Sequence, residues 1–153
     1  MAKKKDLYKP VNVKNRKAKF NYAIEDTYVA GMVLKGTEIK SIRLGRVTLG
    51  EAYCYVNNGE VFVKNMNIAP YEMGTHFNHV PTRERKLLLN KKEIRKIERS
   101  MEEQGMTIVP MRLFMSRGFA KLEIGIGKGK KLHDKRESLK EKDAKRKLRA
   151  ADY

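Results

Sequence analysis

The run AYCYVNNGEVFVKN, residues 52–65, restricts the fold more than any other stretch of this 153-residue chain. Two segments rich in aromatic and β-branched residues flank Asn58-Gly59, a dipeptide that suits the positive φ angles of a type I′ turn. A two-residue turn of this kind joins neighbouring antiparallel strands. The run therefore predicts a β-hairpin.

Alternation of apolar and polar residues predicts strands on both sides of this hairpin. FNYAIE (20–25) and TEIKSIRLG (37–45) alternate, and TIVPMRLFMSRGFAKLEIGIG (107–127) predicts two strands with a turn near Arg117-Gly118. Pro110 lacks a backbone donor, so the first of these two strands is predicted to lie at an edge or to carry a bulge.

Two helices are predicted between the strands. A short one covers YVAGMVLKG (28–36) and ends at Gly36. A longer one covers TRERKLLLNKKEIRKIERSMEEQG (82–105). Asn90 followed three residues later by Glu93 resembles a capping box, so this helix either runs through or restarts there.

Several hairpins and few helical crossovers predict a mainly β (β+α) fold. Within that class we expect a small antiparallel β-barrel of oligonucleotide-binding type, with flanking helices and a basic C-terminal tail. The expected parts are a flexible basic arm over 1–19, the barrel over 20–127 and the tail over 128–153.

The charge of the chain is strongly positive and unevenly distributed. The formal net charge is +17, with 41% hydrophobic residues, so a core can form. Residues 1–19 and 128–150 each carry +7, whereas residues 20–127 carry only +4. An imbalance of this size is typical of a nucleic-acid-binding protein.

The sequence also restricts the cellular compartment in which the protein is expected. Cys54 is the single cysteine, which leaves no intrachain disulfide, and neither a secretory signal nor a membrane span is predicted. We therefore expect a soluble, cytoplasmic protein with no membrane partner.

No motif favours an enzyme. GIGKGKK (125–131) lacks the upstream glycine and the hydroxyl of a Walker loop. His76 and His79 fall in the turn-rich stretch IAPYEMGTHFNHVP (68–81), where surface histidines are the expected interpretation. We predict no catalytic residues, no metal and no cofactor.

Two features leave alternatives open. Aromatic side chains on predicted strands are either core residues or platforms for bases: Tyr22, Tyr53, Tyr55 and Phe62. In the tail, Glu141 precedes Lys145 and Asp143 precedes Lys147 by four residues, the favourable helical order. The tail is therefore either a marginal helix that orders against an anionic surface or a solubilising segment that stays unordered.

Four blocks in order resemble one family. NRKAKF, GTEIKSIRLG, IAPYEMGTHFNHVPTRERKLLLNKKEI and IGIGKGKKLHDKRESLKEKD are similar to segments of small protein B, the SsrA-binding protein of bacteria. The resemblance implies a monomeric adaptor that binds the tRNA-like domain of transfer-messenger RNA. It further implies that the adaptor enters stalled ribosomes and starts trans-translation.

The resemblance also implies roles for individual residues. Those implied to bind RNA are Arg16, Lys17, Lys40, Arg43, Arg83, Arg85, Lys86, Leu88 and Asn90. The tail is implied to meet small-subunit rRNA at the empty decoding site and to lie in the mRNA channel as a helix. The residues involved would be Lys128, Gly129, Lys130, Lys131, His133, Asp134, Lys135, Arg136, Lys140, Lys145 and Arg146.

Three glycines lie at the end of the last predicted strand. Gly125, Gly127 and Gly129 are expected to let the chain leave its last strand by an unconstrained path.

Val29 and Val80 depart from the family, in which acidic residues are common at both positions. The RNA contact that the family's acidic residue makes is therefore not implied at Val29. The alternative to a rescue adaptor is a structural ribosomal protein or a general basic RNA-binding protein.

Overall fold

The structure, a computed structural model, describes residues 11–74 and 77–151, and for residues 132–134, 138 and 149–151 the backbone alone. The described residues form nine strands and four helices. The strands are β1 (Asn12–Lys14), β2 (Tyr22–Met32), β3 (Val47–Thr48), β4 (Tyr53–Asn57), β5 (Glu60–Lys64), β6 (Asn67–Ile68), β7 (Arg85–Leu88), β8 (Thr107–Ser116) and β9 (Phe119–Gly129). The helices are α1 (Arg16–Asn21), α2 (Gly36–Arg43), α3 (Lys91–Gln104) and α4 (Leu132–Ala151).

Seven strands form one antiparallel sheet in the order β1-β8-β9-β2-β7-β5-β4, and β3 pairs with β6. The sheet curls until β4 approaches β8. Among the described residues, however, no ladder joins the edge strands β1 and β4. The predicted antiparallel, mainly β fold with flanking helices is confirmed, but hydrogen bonds do not close the sheet into a complete barrel.

The two hairpin turns and the irregularity at Pro110 lie where the sequence predicted them. Asn58 and Gly59 have φ angles of 51° and 73° and join β4 to β5, as a type I′ turn requires. A second hairpin turns at Arg117 and Gly118 between β8 and β9. The register of β8 on β9 shifts between Pro110 and Arg112, which is the bulge that proline favours.

Three predicted elements were wrong. β2 does not stop for a helix at 28–36, because its backbone pairs with β9 from Tyr22 to Gly31 and with β7 at Gly31 and Met32. Residues 36–43 form α2 rather than a strand, since Glu38 is held at its first turn by the Lys35 backbone N–H at 2.8 Å. Residues 85–88 form strand β7 rather than the start of a helix, because they pair with β5 on one side and β2 on the other.

Helix α3 begins and ends at the predicted capping residues. The backbone N–H of Asn90 donates to the Glu93 carboxylate at 3.1 Å, which confirms the restart at Asn90. Gly105 ends the helix with a φ angle of 63°, a left-handed conformation that glycine adopts without strain.

The core lies on the inner face of the sheet. Leu122, Ile124 and Ile126 of β9 point inward, and Ile42 from α2 and Ile97 from α3 close the core, all at most 1% exposed. Helix α1 covers a second, smaller cluster, whose buried members are Ala18, Val109 and Met111. The helices therefore cover the inner face and one end of the outer face.

The boundaries of the ordered body differ from the expected ones. Residues 1–10 lie outside the described residues, but residues 12–19 of the predicted flexible arm form β1 and the first part of α1, which continues to Asn21. At the other end β9 continues to Gly129, so the tail begins at 130. A Cβ at Gly127 would lie 2.2 Å from the Ala23 carbonyl oxygen. Glycine is therefore needed there because β2 approaches closely, not to give the chain a free exit.

Every helix in the described part of the chain is too short or too polar to cross a membrane.

Candidate nucleic-acid interface

The outer face of the seven-stranded sheet is the candidate interface. Side chains alternate across a strand, so residues two apart share a face. On β7, Arg85 and Leu87 are buried, whereas Lys86 and Leu88 point outward. The same alternation continues through the paired strands, and a row of outward residues runs across the sheet: Leu88, Gly31, Lys121, Phe114 and Asn12.

Gly31 marks the centre of this outer face. A Cβ on Gly31 would lie 3.3 Å from the Leu88 Cβ and 3.8 Å from the Lys121 Nζ. Because glycine has no side chain, the Leu88 and Lys121 side chains flank partly exposed backbone at Gly31. Leu88 is 52% exposed, and Val29, on the same face of β2, is 51% exposed. Apolar side chains left half in water on a sheet face indicate a contact surface.

Three aromatic rings lie at the β4–β5 side of the outer face. The Tyr55 and Phe62 rings are stacked with centroids 5.6 Å apart, and the Tyr53 ring lies 6.3 Å from that of Tyr55. The Tyr55 hydroxyl donates a hydrogen bond to the Glu84 carboxylate, and Phe62 is opposite Lys86 in the β5–β7 register. The rings lie outside the core and remain partly exposed, which favours the platform interpretation for these three aromatics.

The cations of the outer face differ in how firmly they are held. Lys86 donates to Glu60 at 3.0 Å, and both side chains are nearly half exposed. Such a pair contributes at most about 1 kcal/mol and can be exchanged for a phosphate contact. Arg112 pairs with Glu123, and its guanidinium lies 4.3 Å from the centre of the Phe114 ring.

Arg85 is the predicted RNA-binding residue that the structure contradicts. Its side chain is fully buried and bonds to the equally buried Glu38 carboxylate, to the Met66 carbonyl at 2.7 Å and to the Pro81 carbonyl at 3.0 Å. Because the side chain is fully buried and each of its three nitrogens donates to a group inside the protein, Arg85 cannot meet a phosphate. Arg83 is different: it donates to Glu38 at 2.6 Å but stays 28% exposed.

The Glu38 carboxyl is the electrostatic centre of this network. Burial raises the pKa of Glu38, but hydrogen bonds from Arg83, the Lys35 backbone N–H and Arg85 outweigh burial and hold the pKa below its usual value. Burial lowers the pKa of Arg85, and Glu38 opposes that shift. Two arginines on one carboxylate keep all three groups charged.

The remaining predicted RNA-binding residues lie on other elements. Asn90 is exposed where β7 meets α3, beside Leu88. Lys40 and Arg43 are exposed on α2, and the Lys40 Nζ lies 5.3 Å from the centre of the Tyr71 ring. Arg16 and Lys17 are exposed on α1. The predicted set is therefore divided among the outer face, α2 and α1.

The predicted decoding-site residues follow the end of β9. Lys128 and Gly129 are exposed in β9, and the Lys130 N–H donates to the Asn21 carbonyl at 2.8 Å. Lys131 precedes α4. The side chains of His133 and Asp134 lie outside the described residues. The other members are on α4: Lys135, Arg136, Lys140, Lys145 and Arg146.

The histidine and cysteine side chains contribute elsewhere. His76 lies outside the described residues. His79 is 4% exposed, contrary to the surface position expected for it, because its ring bonds to the Ile68 carbonyl at 2.8 Å and to the Thr37 hydroxyl at 2.9 Å. Burial raises the pKa of the Cys54 thiol.

The sequence prediction missed Lys121, Arg112 and Lys14 as members of the outer face. A usable signal existed for Lys121, since Lys121 and Glu123 alternate with the buried Leu122 and Ile124. Arg112 was harder to place, because the bulge after Pro110 changes the alternation of β8.

A basic antiparallel sheet with half-exposed aromatic and apolar side chains on one face is typical of a nucleic-acid-binding β protein. The model of the SmpB protein family matches residues 12–152, so the chain belongs to that family.

Relatives and a solved structure agree with this assignment. The chain is 58% identical over 140 residues to an SsrA-binding protein of Phocaeicola vulgatus, covering 91% of this chain and 93% of the relative. An SsrA-binding protein of Bacteroides thetaiotaomicron is 57% identical over 137 residues, which cover 89% of this chain and 91% of the relative. A solved chain from "tmRNA-SmpB: a journey to the center of the bacterial ribosome" has a TM-score of 0.68 and 41% identity, covering 84% of this chain and 94% of that one.

Proposed function

We propose that the chain is a non-enzymatic RNA-binding adaptor that works as a monomer in the cytoplasm. It binds the tRNA-like domain of transfer-messenger RNA and delivers it to stalled ribosomes for trans-translation. The observation that carries this proposal is the outer face, where Leu88 and Lys121 flank Gly31 and the aromatic rings lie along the neighbouring strands. The names of the relatives supply the partner.

The outer face can contact a folded RNA in three ways. Tyr53, Tyr55 and Phe62 offer ring faces on which unpaired bases stack, each worth about 1–3 kcal/mol. Leu88 offers apolar contact to a base or a ribose, and Lys121 offers a cation to the backbone. Lys86 exchanges Glu60 for a phosphate at little cost, because its present ion pair is exposed.

The tail is proposed to sense an empty decoding site and mRNA channel. Helix α4 has 20 residues, which makes a basic rod about 30 Å long. A rod of this kind can lie in a channel walled by rRNA, and the segment from Lys128 to Arg136 would meet the decoding site. Messenger RNA in the same channel would exclude the rod, because the two cannot occupy one path.

The binding step is tested by comparing two RNAs. Purified protein is expected to bind a transfer-messenger RNA at least about tenfold more tightly than bulk tRNA at physiological salt, a difference of about 1.4 kcal/mol. Equal affinities would overturn the specific proposal and leave a general basic RNA-binding protein.

A second measurement separates the adaptor from a structural ribosomal protein. We expect the protein to be enriched on ribosomes that lack downstream message. A constant stoichiometry on all ribosomes would favour the structural ribosomal protein.

A further inference from the structure

Helix α4 folds back toward α1 and encloses a groove against the β1–β8 edge of the sheet. The groove has a volume of about 810 Å³. Its lining contains seven basic and two acidic side chains from separate segments of the chain. The basic side chains include Lys14, Arg16, Lys19, Arg112, Lys142 and Lys145.

Two contacts join the tail to α1. The Lys142 Nζ lies 5.6 Å from the centre of the Phe20 ring, within the range of a cation–π interaction worth about 0.5–1 kcal/mol at an exposed site. At the start of the tail, the Lys130 N–H donates to the Asn21 carbonyl at 2.8 Å. The first contact joins α4 itself to α1, and the second joins a residue two positions before α4 to the last residue of α1.

The charges in the groove do not favour this arrangement unless something anionic lies between the helices. Helix α1 has three basic residues and no acid, and α4 is also basic. Of the two acidic side chains that line the groove, Glu123 pairs with Arg112, and Glu141 is on α4 itself. Like charges repel across such a gap, and the repulsion is relieved by an anion or screened by salt.

We propose that the α1–α4 groove is a second RNA site, which adjoins the outer face at the β1–β8 edge of the sheet, and that it takes a phosphodiester backbone. Several cations are spread along an open groove, which fits a chain of phosphates better than one small anion. This inference rests on the proposed function in that the partner is RNA. It adds a consequence: while α4 holds RNA against α1 it cannot lie along an mRNA channel, so the two tail positions exclude each other.

The test compares two variants of the full chain with the same charge change on the same helix. Lys142→Gln removes a cation that lines the groove. Lys147→Gln removes an exposed cation of α4 that does not line it. RNA affinity is measured from about 50 to 200 mM salt, with transfer-messenger RNA and bulk tRNA as separate probes.

The groove variant is expected to reduce the slope of log K against log salt by about 0.7–0.9, and the control variant to leave the slope unchanged. Equal flattening by both variants would overturn the groove, since the tail would then act as an undirected polycation. This outcome differs from failure of the proposed function, in which the unmodified chain binds both probes equally.

A distance measurement gives a readout besides affinity. Spin labels at Lys17→Cys on α1 and Lys140→Cys on α4 report the separation of the helices, and the buried Cys54 is protected from labelling. Adding RNA at low salt should narrow the distance distribution. A broader or longer distribution would mean that RNA drives α4 away from α1 and would contradict the proposal.

Discussion

At the scale of single residues, Glu38 and Arg85 form an ion pair from which water is excluded, and both side chains are fully buried. A pair of this kind is stable only if its remaining donors and acceptors are used, because desolvating two charges costs several kcal/mol. Arg83, the Lys35 N–H and two backbone carbonyls complete the network. These contacts join α2 to the turn-rich loop and to β7.

We predict that Glu38→Gln destabilises the protein by about 3–5 kcal/mol, because it leaves Arg85 charged and buried without its partner. Urea unfolding at pH 7 measures the loss. The matched control is Glu60→Gln, which removes the exposed partner of Lys86 and should cost at most about 1 kcal/mol. Similar losses for the two variants would show that burial of the Glu38 pair does not matter.

The pH dependence follows from the lowered pKa of Glu38. A carboxyl with a depressed pKa in the folded state stabilises the fold above its unfolded pKa, and this contribution is lost as the pH falls through the folded pKa. The stability gap between the unmodified chain and Glu38→Gln should therefore narrow below about pH 4.3. A gap that stays constant from neutral to acidic pH would contradict an ionised Glu38.

Gly127 has a different kind of importance, since a Cβ would meet the β2 backbone at 2.2 Å. We predict that Gly127→Ala destabilises the protein by at least about 1 kcal/mol, because β2 and β9 must separate to admit the methyl group. Gly129→Ala is the control on the same strand, because a Cβ there would have no described atom within 4 Å. Thermal unfolding of both variants decides whether close approach, rather than glycine content, is what β9 requires.

At the scale of elements, the strand conformation of β7 decides which residues RNA can reach. In a strand, Lys86 and Leu88 share the outer face while Arg85 is buried. Asn90 is the N-cap of α3 and therefore has a structural role besides any contact with RNA. Leu88 is therefore a cleaner probe of the outer face than Asn90.

We predict that Leu88→Gln weakens binding to transfer-messenger RNA about tenfold, through loss of about 1.4 kcal/mol of apolar contact, with little change in stability. Val80→Gln is the control, because Val80 is 64% exposed in the loop that precedes β7. Filter binding at fixed salt measures both affinities. If both variants bind like the unmodified chain, the outer face is not the interface.

At the scale of the whole molecule, binding and sensing are divided between the folded sheet and the tail. Removing residues 132–153 deletes α4 and leaves the strands and α1 to α3 intact. The truncated chain should still prefer transfer-messenger RNA over bulk tRNA but should lose tagging of peptides on stalled ribosomes. A truncated chain that still supports tagging would refute the role proposed for the tail.

The parts of the fold that could be predicted are those set by neighbours in sequence. Asn58-Gly59 determines its own turn, and Gly105 ends α3 with its own left-handed φ angle. Pro110 forces a local irregularity in β8 wherever that strand lies. In each case the responsible backbone or side-chain atoms lie within a few residues, so no tertiary information was needed.

The wrong predictions concern segments whose partners are distant in sequence. TEIKSIRLG alternates well enough for a strand, but Glu38 is bound to Arg83 and Arg85, which lie 45 and 47 residues further along the chain, and this network favours a helix at 36–43. A helix was predicted at 28–36, but the backbone of residues 28–32 pairs with β9 and β7.

The sequence by itself determined the net charge, the hairpin turns, the caps of α3 and the family resemblance, because each depends on composition or on the local order of residues. Only the tertiary structure decided that Arg85 is buried, that Leu88 and Lys121 flank Gly31, and that α4 lies against α1. An arginine has the same charge in water and in a core. Its surroundings are created by strand pairing across the chain, and those surroundings determine whether it can bind RNA.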